Sequence, residues 1–262
     1  MSLFALVGAA FAAEDVTPAD TGSRTDGVIG EGWRIAPMGA RSGLRVGQEA
    51  AVGRAGGTNA TTLAARGTIG KNWLQVSVPF ASFRTPDERA VDLGNLGIDA
   101  WRGKELKHGY RALGVELTLP TGGHAWTWTN RPDDLWPNAG VDLVWQGTRD
   151  LGSAKLLHRV ALGVHGSAGY EPIPELWVRA QGAVALDARL SDRFGVTGEL
   201  ALQTWDTSPL EVNGLFRANL IKGLDARAGL VLPVGVWAGW TPADQAPGIS
   251  ETTFLVDLTM SL

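Results

Sequence analysis

Charged side chains recur at alternate positions: Arg179, Asp187 and Arg189 within 178–190, Glu199 within 194–202, Asp225 and Arg227 within 224–232, and Asp257 within 254–262. Residues two apart in an extended chain share a face. Across these four segments the even-numbered face has 22 positions and no charge, whereas the odd-numbered face has 18 positions, seven of them charged. Such a partition holds water and ions against one wall while the other wall dissolves in hydrocarbon. The same alternation, taken strand by strand, turns Arg45, Glu49, Arg66, Asp99, Glu116, Arg159, His165, Arg179, Asp187, Glu199, Arg217, Asp225, Arg227 and Asp257 to the polar side as candidate lumen-lining residues. Both signs are present, which leaves two arrangements open. The charges either border a hydrated path that selects solutes, or pair into ion bridges that close the interior.

Other candidate chemistry is sparse. His165 and Ser167 lie two apart on one strand face and could set a base beside a nucleophile. The run His165-Gly166-Ser167-Ala168-Gly169 is similar to the His-x-Ser-Asn-Gly element of outer-membrane phospholipases. Ala168 replaces the Asn, however, and parity turns the pair inward, away from lipid; no orienting third group follows from the sequence. Lipid hydrolysis is therefore the least favoured reading, and no catalytic residue is expected. His108, His124, His158 and His165 are scattered, without a helical His-Glu-x-x-His, so no metal site is expected. Asp133-Asp134 reads as a solvated turn pair, since calcium needs six or more oxygens. Gly30-Glu31-Gly32 lacks the third glycine of a dinucleotide fingerprint, and no cofactor is expected. The chain has no cysteine, and its net charge of -4 argues against nucleic acid as a partner.

These residues must be positioned by strands. From Gly43 onward, alternating segments at 43–54, 59–69, 73–83, 91–101, 108–119, 138–147, 156–168, 177–190, 193–204, 211–220, 224–232 and 252–262 are divided by Gly, Pro, Asn and Asp. Strands of about 9 to 11 residues suffice to cross a tilted bilayer path, and no apolar run is long enough for a spanning helix. The apolar face mixes Leu and Val with Ala180, Gly182, Ala188, Gly198, Ala226 and Ala228, too little volume for a sandwich core but acceptable against acyl chains. An open sheet in hydrocarbon would leave unpaired backbone groups at its edges, so the sheet must close. The expectation is an all-β protein: a closed antiparallel transmembrane β-barrel of about twelve strands, within a range of ten to fourteen.

Alternate connections are short at 70–72, 102–107, 148–155, 191–192 and 221–223, while 120–137 and 233–251 lead the longer set, as expected of a bacterial outer-membrane barrel with both termini on the periplasmic side. Trp126, Trp128, Trp136, Trp205, Trp237 and Trp240 fall toward the long-loop rim and Trp73, Trp101 and Trp145 toward the short-turn rim, the expected girdle of aromatic rings at both interfaces. Residues 1–13 read as an export signal ending in Ala10-Phe11-Ala12. Residues 14–42 read as a periplasmic lead-in or a small plug, because Val28, Ile29, Trp33, Ile35 and Met38 are apolar in a stretch without strand periodicity; 43–262 form the barrel.

Two segments carry a family resemblance. Asp92-Leu93-Gly94-Asn95-Leu96-Gly97 and Gly114-Val115-Glu116-Leu117-Thr118-Leu119-Pro120-Thr121-Gly122 resemble the GLGDL strand and LPTG strand end of bacterial outer-membrane transporters associated with the meta-pathway of phenol degradation. The resemblance extends loosely over residues 70 to 262 and implies an outer-membrane barrel for small, often aromatic, compounds. The reading is a non-enzymatic channel for passive passage of small molecules, aromatic or hydrophobic ones among them, whose partners are outer-membrane lipid and the solute. The alternative is a structural or surface-binding barrel without transport. Oligomeric state is left open.

Overall fold

The computed structural model describes residues 31–39, 42–53, 56–69, 72–84, 89–121, 138–167, 176–203, 210–233 and 252–262. Strands fill most of these: β1 (Gly43–Gly53), β2 (Gly56–Ile69), β3 (Asn72–Arg84), β4 (Arg89–Leu93), β5 (Leu96–Leu106), β6 (Gly109–Leu119), β7 (Asn138–Asp150), β8 (Ala154–Ser167), β9 (Leu176–Arg189), β10 (Phe194–Gln203), β11 (Leu210–Ile221), β12 (Leu224–Pro233) and β13 (Thr252–Ser261). Neighbours pair antiparallel in chain order, and β1 pairs with both β2 and β13, which closes the sheet. The short β4 and the following β5 both lie against β3, so together they make one stave. The result is a closed barrel of twelve antiparallel staves, and closure leaves no strand edge to satisfy.

The expected segment 91–101 is thus one stave in two pieces, for a local reason. Pro79 on β3 has no N–H to give the ladder. Opposite it, pairing changes from Phe80↔Leu93 to Ser77↔Gly97, so three residues on one side face two on the other, a bulge at Gly94-Asn95. The amide of Gly94 donates to the Pro79 carbonyl at 2.7 Å. Thr121 braces the break, its hydroxyl accepting from the Leu96 amide at 2.8 Å and donating to the Gly94 carbonyl at 2.9 Å.

The strand ends that flank 70–71, 107–108, 151–153, 190–193 and 222–223 lie at the rim where β1 begins and β13 ends. The strand ends that flank 120–137, 168–175, 204–209 and 234–251, and those that flank the shorter 54–55 and 85–88, lie at the opposite rim. Two short links are tighter than expected, since β5 and β6 run to 107–108 and β7 and β8 to 151–153. The charges there lie on strands near the rim, where water is reached; Asp150 and Lys155 sit opposite each other at 3.9 Å. Gly152 and Gly223 take φ of 79° and 82° in these turns, a region L-residues rarely adopt.

Parity sorts the wall. Leu200 and Leu258 are 56% and 46% exposed on the outside, whereas Glu199, Arg227 and Asp257 are 2%, 7% and 1% exposed within. Along β13 the outward Phe254, Val256, Leu258 and Met260 alternate with inward Thr253, Leu255, Asp257 and Thr259. The outward row is continued by Leu162, Val184, Leu186, Leu202 and Phe216 on other strands. An apolar exterior of this extent requires a hydrocarbon solvent. Leu200→Arg on this face is expected to cost about 2–4 kcal/mol if it lies near mid-bilayer, with less cost toward either rim. Urea unfolding in phospholipid vesicles measures it.

Candidate functional site

The barrel interior is built by alternation, each strand contributing every second residue. Opposite β12, Asp257 of β13 faces Arg227 in register. Its carboxylate receives Nε of Arg227 at 2.9 Å and Nη2 of Arg45 at 2.8 Å. Its other neighbour in register is Gly47 of β1, where a Cβ would lie 2.4 Å from Asp257 Oδ1. A side chain at position 47 therefore displaces the carboxylate from its two guanidinium groups. Gly47→Val is expected to destabilise the barrel by about 1–3 kcal/mol through overpacking, measured as a fall in the urea midpoint.

Further round the wall, the hydroxyl of Thr197 (β10) donates to Asp187 (β9) at 3.2 Å, and Arg217 (β11) pairs with the same carboxylate. Arg159 (β8) grips Glu116 (β6) with two bonds of 2.8 and 2.6 Å, while its Nε reaches Gln181 at 3.2 Å. Paired donors matched to a carboxylate are the strongest form of such a contact. Nε2 of His165 (β8) lies 3.0 Å from Asp142 (β7), to which Arg179 (β9) also donates. Gly163 and Gly140 make room for Asp142 and His165, because a Cβ at either would lie 2.1 Å from a polar atom of that neighbour. Asp99 accepts from Gln75 at 3.1 Å. Arg66 and Asp225 are buried on the inner face, and Glu49 is half-buried there. Every one of the fourteen residues named from parity faces the interior, and the described contacts join many of them into ion pairs.

A strandless segment, Glu31 to Gly39, lies among these side chains. Its Glu31 sits between two wall arginines, 3.2 Å from Nη1 of Arg45 and 2.8 Å from Nη1 of Arg227. Three residues on, the signs reverse. Nε of Arg34 donates to Glu211 (β11) at 2.8 Å, and the Arg34 amide donates to Glu199 (β10) at 2.9 Å. Asn213 holds Glu199 from the other side at 2.8 Å. Gly32 lets the backbone approach, since a Cβ there would lie 1.9 Å from Glu199 Oε2. Trp33 packs with Leu215, Val231 and Leu255. Ile35 and Met38 belong to a second buried cluster with Trp73, Trp101, Tyr110, Val144 and Leu157, and Gln146 donates to the Ala36 carbonyl at 3.0 Å.

The tryptophans correct part of the expected girdle. Trp73 and Trp101 turn inward, 3% and 2% exposed, and stack with centroids 5.5 Å apart. Their odd-numbered positions share the inner face of β3 and β5 with Gln75 and Asp99, so parity overrides nearness to the rim. Gly114 opens the space that Trp101 fills, and the Arg159 guanidinium lies 5.7 Å from the Trp101 ring. Trp145 does face outward, beside His158 at 4.5 Å. Trp126, Trp128, Trp136, Trp205, Trp237 and Trp240 lie outside the described residues, as do His124, Asp133-Asp134, residues 1–30 and the Ser167 side chain.

Reading by parity missed several interior groups. Glu211 and Asn213 are on the inner face of β11, in register with Ala201 and Glu199, and the same alternation could have found them. Glu31 and Arg34 carried no periodic signal, because they lie in a segment that is not a strand.

No family model matches the chain, and no curated protein matches it. Among solved structures it is similar to the COG4313 outer membrane channel from Pseudomonas putida F1, at 12% identity and a TM-score of 0.66, over 94% of this chain and 99% of that one. It is also similar to the KdgM porin in complex with disordered oligogalacturonate, at 10% identity and a TM-score of 0.54, over 83% of this chain and 99% of the other. At these identities the likeness is one of fold, and the shared fold is that of outer-membrane β-barrels.

Proposed function

We propose that the chain is a bacterial outer-membrane channel that passes small molecules passively through its barrel, with Glu31 to Gly39 serving as a plug. The observation that carries this is the inverted wall, an apolar exterior enclosing an interior of ion pairs through which a non-strand segment is threaded. Structural rigidity alone does not require such a segment, because ion pairs between wall residues already fill much of the interior. Passage needs no cofactor and no catalytic residue: orientation of water and solute by fixed charges suffices. The solutes we infer are small and flat, aromatic ones included. The inward stack of Trp73 and Trp101 supports this: it is buried in one cluster with Ile35 and Met38 of the segment, and displacing the segment would bare π-faces near the paired charges of Arg159 and Glu116. The resemblance to transporters associated with phenol degradation points the same way. One observation favours a barrel without transport: the described interior charges are extensively paired and buried.

Liposome swelling with small sugars, amino acids and aromatic acids separates the two. The expected result is entry of small solutes, fastest for the aromatic acids, and faster for a chain lacking 31–39. Exclusion of every solute by both forms would overturn the channel reading and leave the structural one.

A further inference from the structure

The outer wall of β7 to β13 is apolar throughout its middle, with Leu143, Leu162, Val184, Leu200, Val212, Phe254 and Val256 exposed. On β1 and β2 this belt is interrupted. Gln48 lies on the outward, even-numbered face of β1 with Leu44 and Val46, while Asn59 and Thr61 lie on the outward face of β2 with Leu63. The three are joined: the Gln48 amide donates to Asn59 Oδ1, and the Thr61 hydroxyl donates to Gln48 Oε1 at 2.8 Å. The depth of the cluster follows from register. Gln48 pairs with Val256 of β13, in the middle of that strand's apolar row, and Thr61 pairs with Phe80 of β3, itself exposed. Gln48 is also the central residue of β1. The polar cluster is therefore level with the hydrocarbon-facing belt on both sides.

Acyl chains offer amides no partner, and leaving such groups bare in hydrocarbon is costly. Gln48 uses one N–H and one lone pair within the cluster, which leaves one of each for an outside group. An amide is both donor and acceptor, so a two-fold axis beside it matches its own N–H to its copy's oxygen; this self-complementarity is what an isologous interface requires. The next outward position on β1, Ala50, is small. Small residues let two walls approach closely. From these observations we propose that the β1–β2 face is the contact between two copies of this chain in the membrane. The dimer buries Gln48, Asn59 and Thr61 and leaves the apolar β7–β13 wall to lipid.

Because the chain has no cysteine, single cysteines report the contact directly. In native outer membranes treated with a short bis-maleimide, Ala50→Cys is expected to give a band of twice the monomer mass, and Leu200→Cys on the opposite wall is expected to give none. Adding Gln48→Leu to Ala50→Cys lowers that band about tenfold, the effect of losing one or two membrane hydrogen bonds. Thr61→Val, which keeps the shape, lowers it less and serves as the reading if Gln48→Leu loses the heat-modifiable gel shift of a folded barrel. No dimer band from Ala50→Cys, an equal band from Leu200→Cys, a band indifferent to both polar-to-apolar changes, or a cross-link to a protein of another mass would each overturn the proposal.

Discussion

Removing residues 31–39 is expected to raise single-channel conductance in a planar bilayer several-fold. Glu31 sits between Arg45 and Arg227, Arg34 between Glu211 and Glu199, and the carbonyl of Ala36 receives Gln146 from β7. The segment thus reaches from β1 and β12 to β7, and Ile35 and Met38 fill space beside Trp101. Its deletion exchanges side chains for water across that span and leaves four wall charges, Arg45, Arg227, Glu199 and Glu211, with fewer partners. The milder Arg34→Glu sets a third carboxylate against Glu199 and Glu211 and is expected to replace steady low conductance with frequent transitions to a higher level. If deletion leaves conductance unchanged, these residues are not the barrier.

The second large effect is on stability. Asp257 is the carboxylate shared by Arg45 and Arg227, and its removal leaves the two guanidinium groups sharing Glu31. Breaking a buried pair from one side typically costs about 3–5 kcal/mol, since the stranded charge keeps its desolvation penalty. Asp257→Ala is therefore expected to lower the unfolding free energy in vesicles by about that amount. Removing all four charges, with Leu at both arginine positions and Glu31→Gln beside Asp257→Ala, is expected to recover much of the loss, because no buried charge is then stranded. Equal stability of Asp257→Ala and the parent chain would mean that water already solvates this site.

Most of the barrel could be read from parity, because a period of two is local: Glu199 and Leu200 declare opposite faces by being adjacent, and their neighbours repeat the statement. What parity could not supply was long-range or irregular. The contacts of Arg34 with Glu199 and Glu211 span 165 and 177 residues, and no local pattern encodes such a meeting. The bulge at Gly94-Asn95 had a local sign in Pro79, but its consequence depends on which strand lies opposite. Trp73 and Trp101 were misplaced because closeness to a rim was weighed above face, although Asp99, two residues before Trp101, already fixes that face as the inner one. The Gln48–Asn59–Thr61 cluster was overlooked for a related reason. Counting charges marks the inner face, and neutral amides on the outer face escape the count.

The proposed wall has lipid outside and a solute path within. In a chain lacking 31–39, a water-soluble charged thiosulfonate added during a conductance recording tests that arrangement with one cysteine at a time. Modification of Asn213→Cys on the inner wall is expected to lower the current promptly, and the same reagent is expected to leave the current through Leu200→Cys unchanged. A current reduced from the Leu200 position, or indifferent to both, would contradict it.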